Sequence, residues 1–555
     1  MDAPSTPVLC IIFFILITLY TVRLRARRHR LPLPPGPPKL PLVGNLFDVP
    51  STFQWKSYAR WSKQYDSDII HLDLAGTSII VLSSFEATDA LFEKRSSLYS
   101  DRGNFPMVNE LMGWYFNIVL MKYGEEWRIH RRLFQGAFNV EAARKYKPAE
   151  LVGTYALLAR LLHTPEDFIH HFRQMTGEII MAAVYGIDVL PSNDPYVTLA
   201  HKAVRTAAIA AVPGVYLVDT FPILKHIPRW FPGAGFKRVA EEWSKLSRGM
   251  LELPFAETKR QMVRYLMLCA PSLPYNRHQD SGVAPPSFTA DSLQALNDPD
   301  KEPYYKEHHV KQTAAAMYSG GADTTVSALG TFILAMLAYP EVQKTAQAEI
   351  DSLTGGKYLP SFEDEVSLPY ISALVKEVMR WENVAPFGEF IVVLIWSTLI
   401  LDASSDTPAT RKRRRVSWLQ ASCRLHCCRK CMVCWAILHD ERVYPDPLKF
   451  KPERFLLDGK LNLAVRNPDA AFGFGRRRCP GRHMAFSSIW ITVVSILATF
   501  DITKAVDEKG NVVEPSYEYL SGVISTPVPF KCTIRPRSQE TVALIQGAAK
   551  GAQRL

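Results

Sequence analysis

A single cysteine, Cys479, lies in the run Phe472-Gly473-Phe474-Gly475-Arg476-Arg477-Arg478-Cys479-Pro480-Gly481, directly before an apolar stretch from Met484 to Leu497 that suits a helix. Glycines let a backbone approach a flat ligand closely, and successive loop amides can donate hydrogen bonds to a thiolate. Three arginines beside one sulfur are expected to hold it ionised and to offer partners for carboxylates. Those properties suit a thiolate that ligates a haem iron. The bland alternative, a structural cysteine near a turn, leaves the glycines and arginines without a purpose.

The run closely resembles the haem-binding loop of the cytochrome P-450 family: phenylalanine, both loop glycines, an arginine two before the cysteine and a glycine two after it all match. The resemblance implies haem b with Cys479 as the axial metal ligand, in a loop to which Phe472, Gly475, Arg477 and Gly481 contribute. Further matches follow in the family's order. Trp127-Arg128-Ile129-His130-Arg131 puts an indole donor and a guanidinium one helical turn apart. Trp-x3-Arg alone is an ordinary helix-surface pattern; the family uses Trp127 and Arg131, with Arg477, to hold the haem propionates. Gly320-Gly321-Ala322-Asp323-Thr324-Thr325 interrupts a long apolar run. Two mid-helix glycines each cost about 1 kcal/mol relative to alanine, and a carboxylate there is costly to bury. Both make sense if the helix opens locally beside a ligand. By resemblance, Thr324 handles dioxygen and Asp323 relays protons, so these two are the expected catalytic residues.

Glu377-Val378-Met379-Arg380 places opposite charges at i and i+3, usually mere surface decoration. In the family, Arg454 of Pro452-Glu453-Arg454-Phe455 joins that pair in a buried ion network with a structural role. Gly522 to Pro527 resembles the terminal β-hairpin whose tip contacts substrate.

The elements that must position these residues read as mainly α with a small β-region. Residues from about Thr52 to Ser84 suggest a helix, then strands at Ile69–Leu74 and Ser78–Leu82. Helical patterns dominate from Glu86 to about Leu268. Leu273 to Pro303 reads as a long surface connection, and a helix is expected from about Glu307 to Leu337. The resemblance covers about Pro34 to Arg537 and implies the cytochrome P-450 fold behind one N-terminal transmembrane helix. Residues 1–30 form the expected anchor and basic flank, 31–50 a proline-rich connector, 51–538 the haem-thiolate domain and 539–555 a tail. Val8 to Val22 is apolar apart from Thr18 and Thr21, and Arg23, Arg25, Arg27, Arg28 and Arg30 follow it. A cleaved signal peptide would carry its charge in front, so a membrane anchor with a cytosolic body is the better reading.

The net charge of +11 is local, with five from that arginine cluster and five from Glu389 to Cys434. The rest is near neutral, which argues against a nucleic-acid partner. Five of the nine cysteines fall within Cys423 to Cys434. Zinc usually takes spaced ligand pairs, not one crowded run. A lineage-specific insertion is a second reading. An unremoved intron with a shifted frame is a third, and the genetic code favours it. Gly388-Glu389-Phe390 can be encoded around GTGAGT, a splice-donor sequence. Reading Arg413–Trp418 and Ser422–Met432 one base over yields strings like the family's missing hairpin and strand. Residues 389–434 are therefore expected to be irregular.

The resemblance implies a microsomal monooxygenase that takes electrons from NADPH through a partner reductase and inserts one atom of dioxygen into a small apolar organic substrate. The expected location is the endoplasmic reticulum membrane, with the catalytic domain cytosolic. Two alternatives stay open: a catalytically impaired protein that lacks the strands replaced by 389–434, and a haem isomerase or dehydratase.

Overall fold

A computed structural model describes residues 33–212, 214–268, 286–300, 302–388, 391–393 and 428–552. The apolar segment Val8–Val22 and most of the cysteine-rich block lie outside the described residues. The described residues form two compact units: those within 1–103, 387–437 and 474–476, and those within 104–386, 438–473 and 477–555.

The first unit is built on a four-stranded sheet in the order β1-β2-β4-β3, with β1 at Ile69–Leu74, β2 at Thr77–Leu82, β3 at Ile391–Val393 and β4 at Cys428–Met432. β1 and β2 form an antiparallel hairpin turning at Ala75 and Gly76, both at positive φ as a tight two-residue turn requires. β4 joins β2 in parallel, and β3 pairs antiparallel with β4. The helix Gln54–Gln64 precedes the sheet, and its buried Trp55 stacks on Phe387. The helix and both early strands fall where the alternation of residues placed them. The expectation of irregular structure across 389–434 is corrected at its ends. Ile391–Val393 and Cys428–Met432 are strands, because an apolar β-branched run and a short mixed run each found an open sheet edge.

The second unit is helical. Its axis is Glu307–Ala338, a 32-residue helix capped where His309 Nδ1 accepts the Lys306 amide and ended before Pro340. It and Arg482–Thr499 are long and apolar enough to cross a membrane, but 78% and 67% of their apolar windows are buried inside the protein. Both are core helices. Glu307–Ala338 runs against Phe168–Tyr185, and the two mid-helix glycines have different reasons. A Cβ on Gly321 would come within 2.9 Å of the Ile180 side chain, so this glycine allows close packing; a Cβ on Gly320 would meet nothing within 4 Å. The helix is continuous through both, so the expected local opening is not a break. Its ladder is nevertheless loaded there by side chains. Thr324 Oγ1 donates to the Gly320 carbonyl at 2.7 Å and Thr176 Oγ1 to the Ala322 carbonyl at 3.1 Å.

Two further expectations change. The proposed surface connection 273–303 contains a helix, Phe288–Leu296, capped by Ser287 and burying Phe288 and Leu293. The tail carries the helix Gln539–Ala552, with Ile545 buried. The terminal hairpin is present as Tyr519–Leu520 paired with Thr526–Pro527, and Ser327 Oγ donates to the Ser525 carbonyl beside it.

Candidate functional site

Short 3-10 turns at Asp469–Phe472 and Gly475–Arg477 fold the glycine-rich run into a loop, which feeds the helix Arg482–Thr499. The Cys479 amide donates to the Phe472 carbonyl at 2.8 Å and ties the cysteine back to the start of the loop. Gly475 has φ +57°, and a Cβ there would sit 1.8 Å from the Phe92 carbonyl oxygen. Its amide donates to Glu93 Oε2 at 2.6 Å. Gly481 is different: a Cβ on it would meet nothing within 4 Å.

The half-buried Cys479 thiol is pushed up from its ordinary range by burial, opposed by the Gly481 amide and the charges of Arg131 and Arg482. This corrects the expectation that three neighbouring arginines hold the sulfur ionised. Arg477 donates to the carbonyls of Ile118 and Met121, each at 2.8 Å, and lies 4.6 Å over the Trp127 ring. Arg476 is exposed. The cations that bear on the sulfur are Arg131, from a distant helix, and Arg482, three residues after the cysteine, and a bound metal ion would complete ionisation.

Trp127 and Arg131 share one face of the helix Glu125–Phe138. Arg131 Nη1 donates to the Arg478 carbonyl at 2.7 Å, which brings this helix to the cysteine loop. The Trp127 indole N–H is buried and has no hydrogen-bond partner among the described residues. An unpaired buried donor costs about 1–3 kcal/mol. A carboxylate of a bound group would remove that cost, so the donor set fits a haem propionate.

Asp323 lies on the Glu307–Ala338 helix with its side chain 13% exposed. His201 Nδ1 stands 3.1 Å from both of its carboxylate oxygens, and Arg173 Nε stands 3.6 Å from one. Sequence patterns single out neither partner; each reaches Asp323 from another helix and carries no local motif. Thr324 is half-buried, with its hydroxyl donated to Gly320.

Glu377, Arg380 and Arg454 come together as expected. Both Arg380 Nε and Nη2 donate to the Glu377 carboxylate at 2.7 Å, and Arg454 Nε donates to Glu377 Oε1 at 3.1 Å. Arg380 also donates to the carbonyls of Leu438 and Lys449. The Glu377 and Arg380 side chains are both 0% exposed. Of the clustered cysteines, Cys431 and Cys434 are buried free thiols. Cys431 donates to the Gly388 carbonyl, and burial pushes both thiols up.

A sequence profile described as Cytochrome P450 matches residues 34–390 and 431–534. Among curated proteins, the chain is 42% identical to Cytochrome P450 monooxygenase 98 of Postia placenta, over 95% of each chain. It is 40% identical to Cytochrome P450 monooxygenase ple1 of Rhodocybe pseudopiperita, over 98% of this chain and 96% of the relative. It is 39% identical to the Tryptamine 4-monooxygenase of Psilocybe cyanescens, over 94% and 96%.

Proposed function

Because the chain belongs to the cytochrome P450 family, a family of haem-thiolate monooxygenases, we propose that it inserts one oxygen atom into a small apolar organic substrate with electrons drawn from NADPH through a partner reductase. The observation that carries this reading is the buried, unpartnered Trp127 N–H beside a cysteine loop tied to the same helix by Arg131. Cys479 would ligate the iron, and Trp127, Arg131 and Arg477 would hold the propionates. Gly475 sets the loop against backbone, while Gly481 and Gly320 leave open space where a side chain would intrude. Bound haem supplies the iron at which dioxygen is reduced and cleaved. The protein's part is to position Cys479, to hold a proton at Asp323 and to present the Thr324 hydroxyl. The preceding apolar segment would hold the protein to the endoplasmic reticulum membrane, with its body in the cytosol.

Cys479→Ser tests the assignment. The reduced, carbon monoxide-treated wild type should show the thiolate-type Soret band and the variant should lose it; an unchanged band would refute Cys479 as the ligand. Tryptamine belongs in the first substrate panel, because one relative is named for it.

A second reading rests on the family match skipping residues 391–430. We propose that residues 389–434, which contain this gap, are an unremoved intron with a shifted frame, and that the chain carrying them binds haem poorly. Spliced transcript sequenced across the stretch should lack it. Mature message that retains it intact would sink the idea.

A further inference from the structure

We propose that His201 is the group through which protons reach Asp323, so that proton supply to the site depends on this histidine as well as on the carboxylate. The proposal rests on the reading of Asp323 given above.

The geometry starts from three helices. Asp323 comes from Glu307–Ala338, Arg173 from Phe168–Tyr185 and His201 from Pro195–Ala210. Phe168–Tyr185 and Pro195–Ala210 meet closely at Gly177, where a Cβ would stand 2.5 Å from a Val197 methyl. That contact helps set His201 and Arg173 around one small cavity with Tyr318 and Asp323. Asp323 is 13% exposed, whereas the His201 side chain is 29% exposed and within hydrogen-bond reach of both carboxylate oxygens. His201 therefore spans the distance between solvent and a mostly buried acid.

The neighbours narrow the choice of carrier. Arg173 keeps its proton at any working pH, so it can orient Asp323 but cannot feed it. The Tyr318 hydroxyl is donated to the Tyr196 carbonyl, and burial pushes its pKa upward. Imidazole is the side chain whose ordinary charge change falls between about pH 5 and 8, and its two nitrogens can receive and release protons separately. The step balances without a redox partner. Solvent protonates His201 at Nε2, and the Nδ1 proton passes to a carboxylate oxygen of Asp323. Neutral imidazole protonated at Nε2 remains, and exchange with solvent resets it. Because His201 acts through Asp323, it is a positioning and relay residue, not one that touches the reacting atoms.

The test compares His201→Gln, His201→Ala and Asp323→Asn in the haem-loaded full chain with a cytochrome reductase. Glutamine can still donate to Asp323 but cannot titrate. NADPH oxidation should slow by about tenfold in both His201 variants, with a larger solvent deuterium isotope effect. In the carbon monoxide complex, the C–O stretch should be the same in the wild type and His201→Gln, because glutamine keeps the hydrogen bond to Asp323 and leaves the surroundings of the iron unchanged. If His201→Gln keeps the wild-type rate and isotope effect while Asp323→Asn is slow, the histidine is only a hydrogen-bond donor and the proposal fails. If Asp323→Asn is also unimpaired, the reading of Asp323 itself fails. Should His201→Ala not fold, the glutamine variant decides alone.

Discussion

The guanidinium of Arg477 lies 4.6 Å over the ring of Trp127, whose own N–H is buried without a hydrogen-bond partner among the described residues. Arg477 is fastened by the Ile118 and Met121 carbonyls, while the indole edge presents a donor at a cost. Trp127→Phe keeps a ring under the guanidinium and removes the N–H. The expected result is unchanged or slightly raised stability without haem and about tenfold weaker haem retention. Haem transfer to an acceptor globin, followed by absorbance, measures it; equal transfer rates would remove Trp127 from the propionate site.

Glu377 receives both arginines in a space closed to water, so its cost and its gain are large and opposite. Removing one partner leaves an uncompensated buried charge. Arg380→Leu should destabilise the protein by about 3–5 kcal/mol and lower the denaturant midpoint sharply. Arg454→Ala should cost less, since Arg380 still pairs with Glu377 through two bonds. Equal losses in the two variants would mean that the network is not centred on Glu377–Arg380.

Much of this arrangement is legible in the sequence alone. The strands at Ile69–Leu74 and Thr77–Leu82 and the helix Glu307–Ala338 follow from periodicity and from proline and glycine punctuation. The Glu377–Arg380–Arg454 network follows from resemblance. The helix Phe288–Leu296 escapes such a reading because a region rich in Pro, Ser, Asn and Asp hides a short apolar run whose burial decides its structure. The site's missed members share one property. Arg173 and His201 reach Asp323 from other helices, His201 across 122 residues. Folding sets such juxtapositions, and no local motif records them. Arg477 misleads for the same reason, since its side chain turns to the Ile118 and Met121 carbonyls, which local spacing does not reveal.

Glu150 offers a pH test away from the iron. It is fully buried on the helix Lys147–His163, accepts hydrogen bonds from Ser487 and Ser488, and has its pKa raised from 4.5 to about 7, burial being the largest cause. A raised carboxyl pKa means that the folded state prefers the proton. Its contribution is therefore fully present below the unfolded value of 4.5 and is lost as pH rises through about 7. The loss amounts to about 3 kcal/mol. Ser487 and Ser488 lie on the helix that follows Cys479, so the strain falls on that helix. Glu150→Gln should flatten the stability profile between pH 4.5 and 7 and be the more stable form at pH 8. Urea midpoints across that range measure it, and parallel profiles for the two proteins would show that Glu150 does not titrate there.

Gly475 is held to glycine by both its conformation and its neighbours. Its φ of +57° already disfavours a side chain, and an added Cβ would lie 1.8 Å from the Phe92 carbonyl oxygen, a backbone atom that cannot rotate away. The same residue donates its amide to Glu93 at 2.6 Å, so any shift that relieves the clash also breaks that bond. Gly481, by contrast, has an ordinary φ of −83° and open space where a Cβ would stand. Gly475→Ala should therefore lose the folded loop and with it the thiolate-type Soret band. Gly481→Ala should leave stability nearly unchanged and disturb only what occupies the space beside it. Thermal melting and haem content, measured on both variants, separate the two effects. If Gly475→Ala melts with the wild type and keeps its haem, backbone contact is not what demands glycine there.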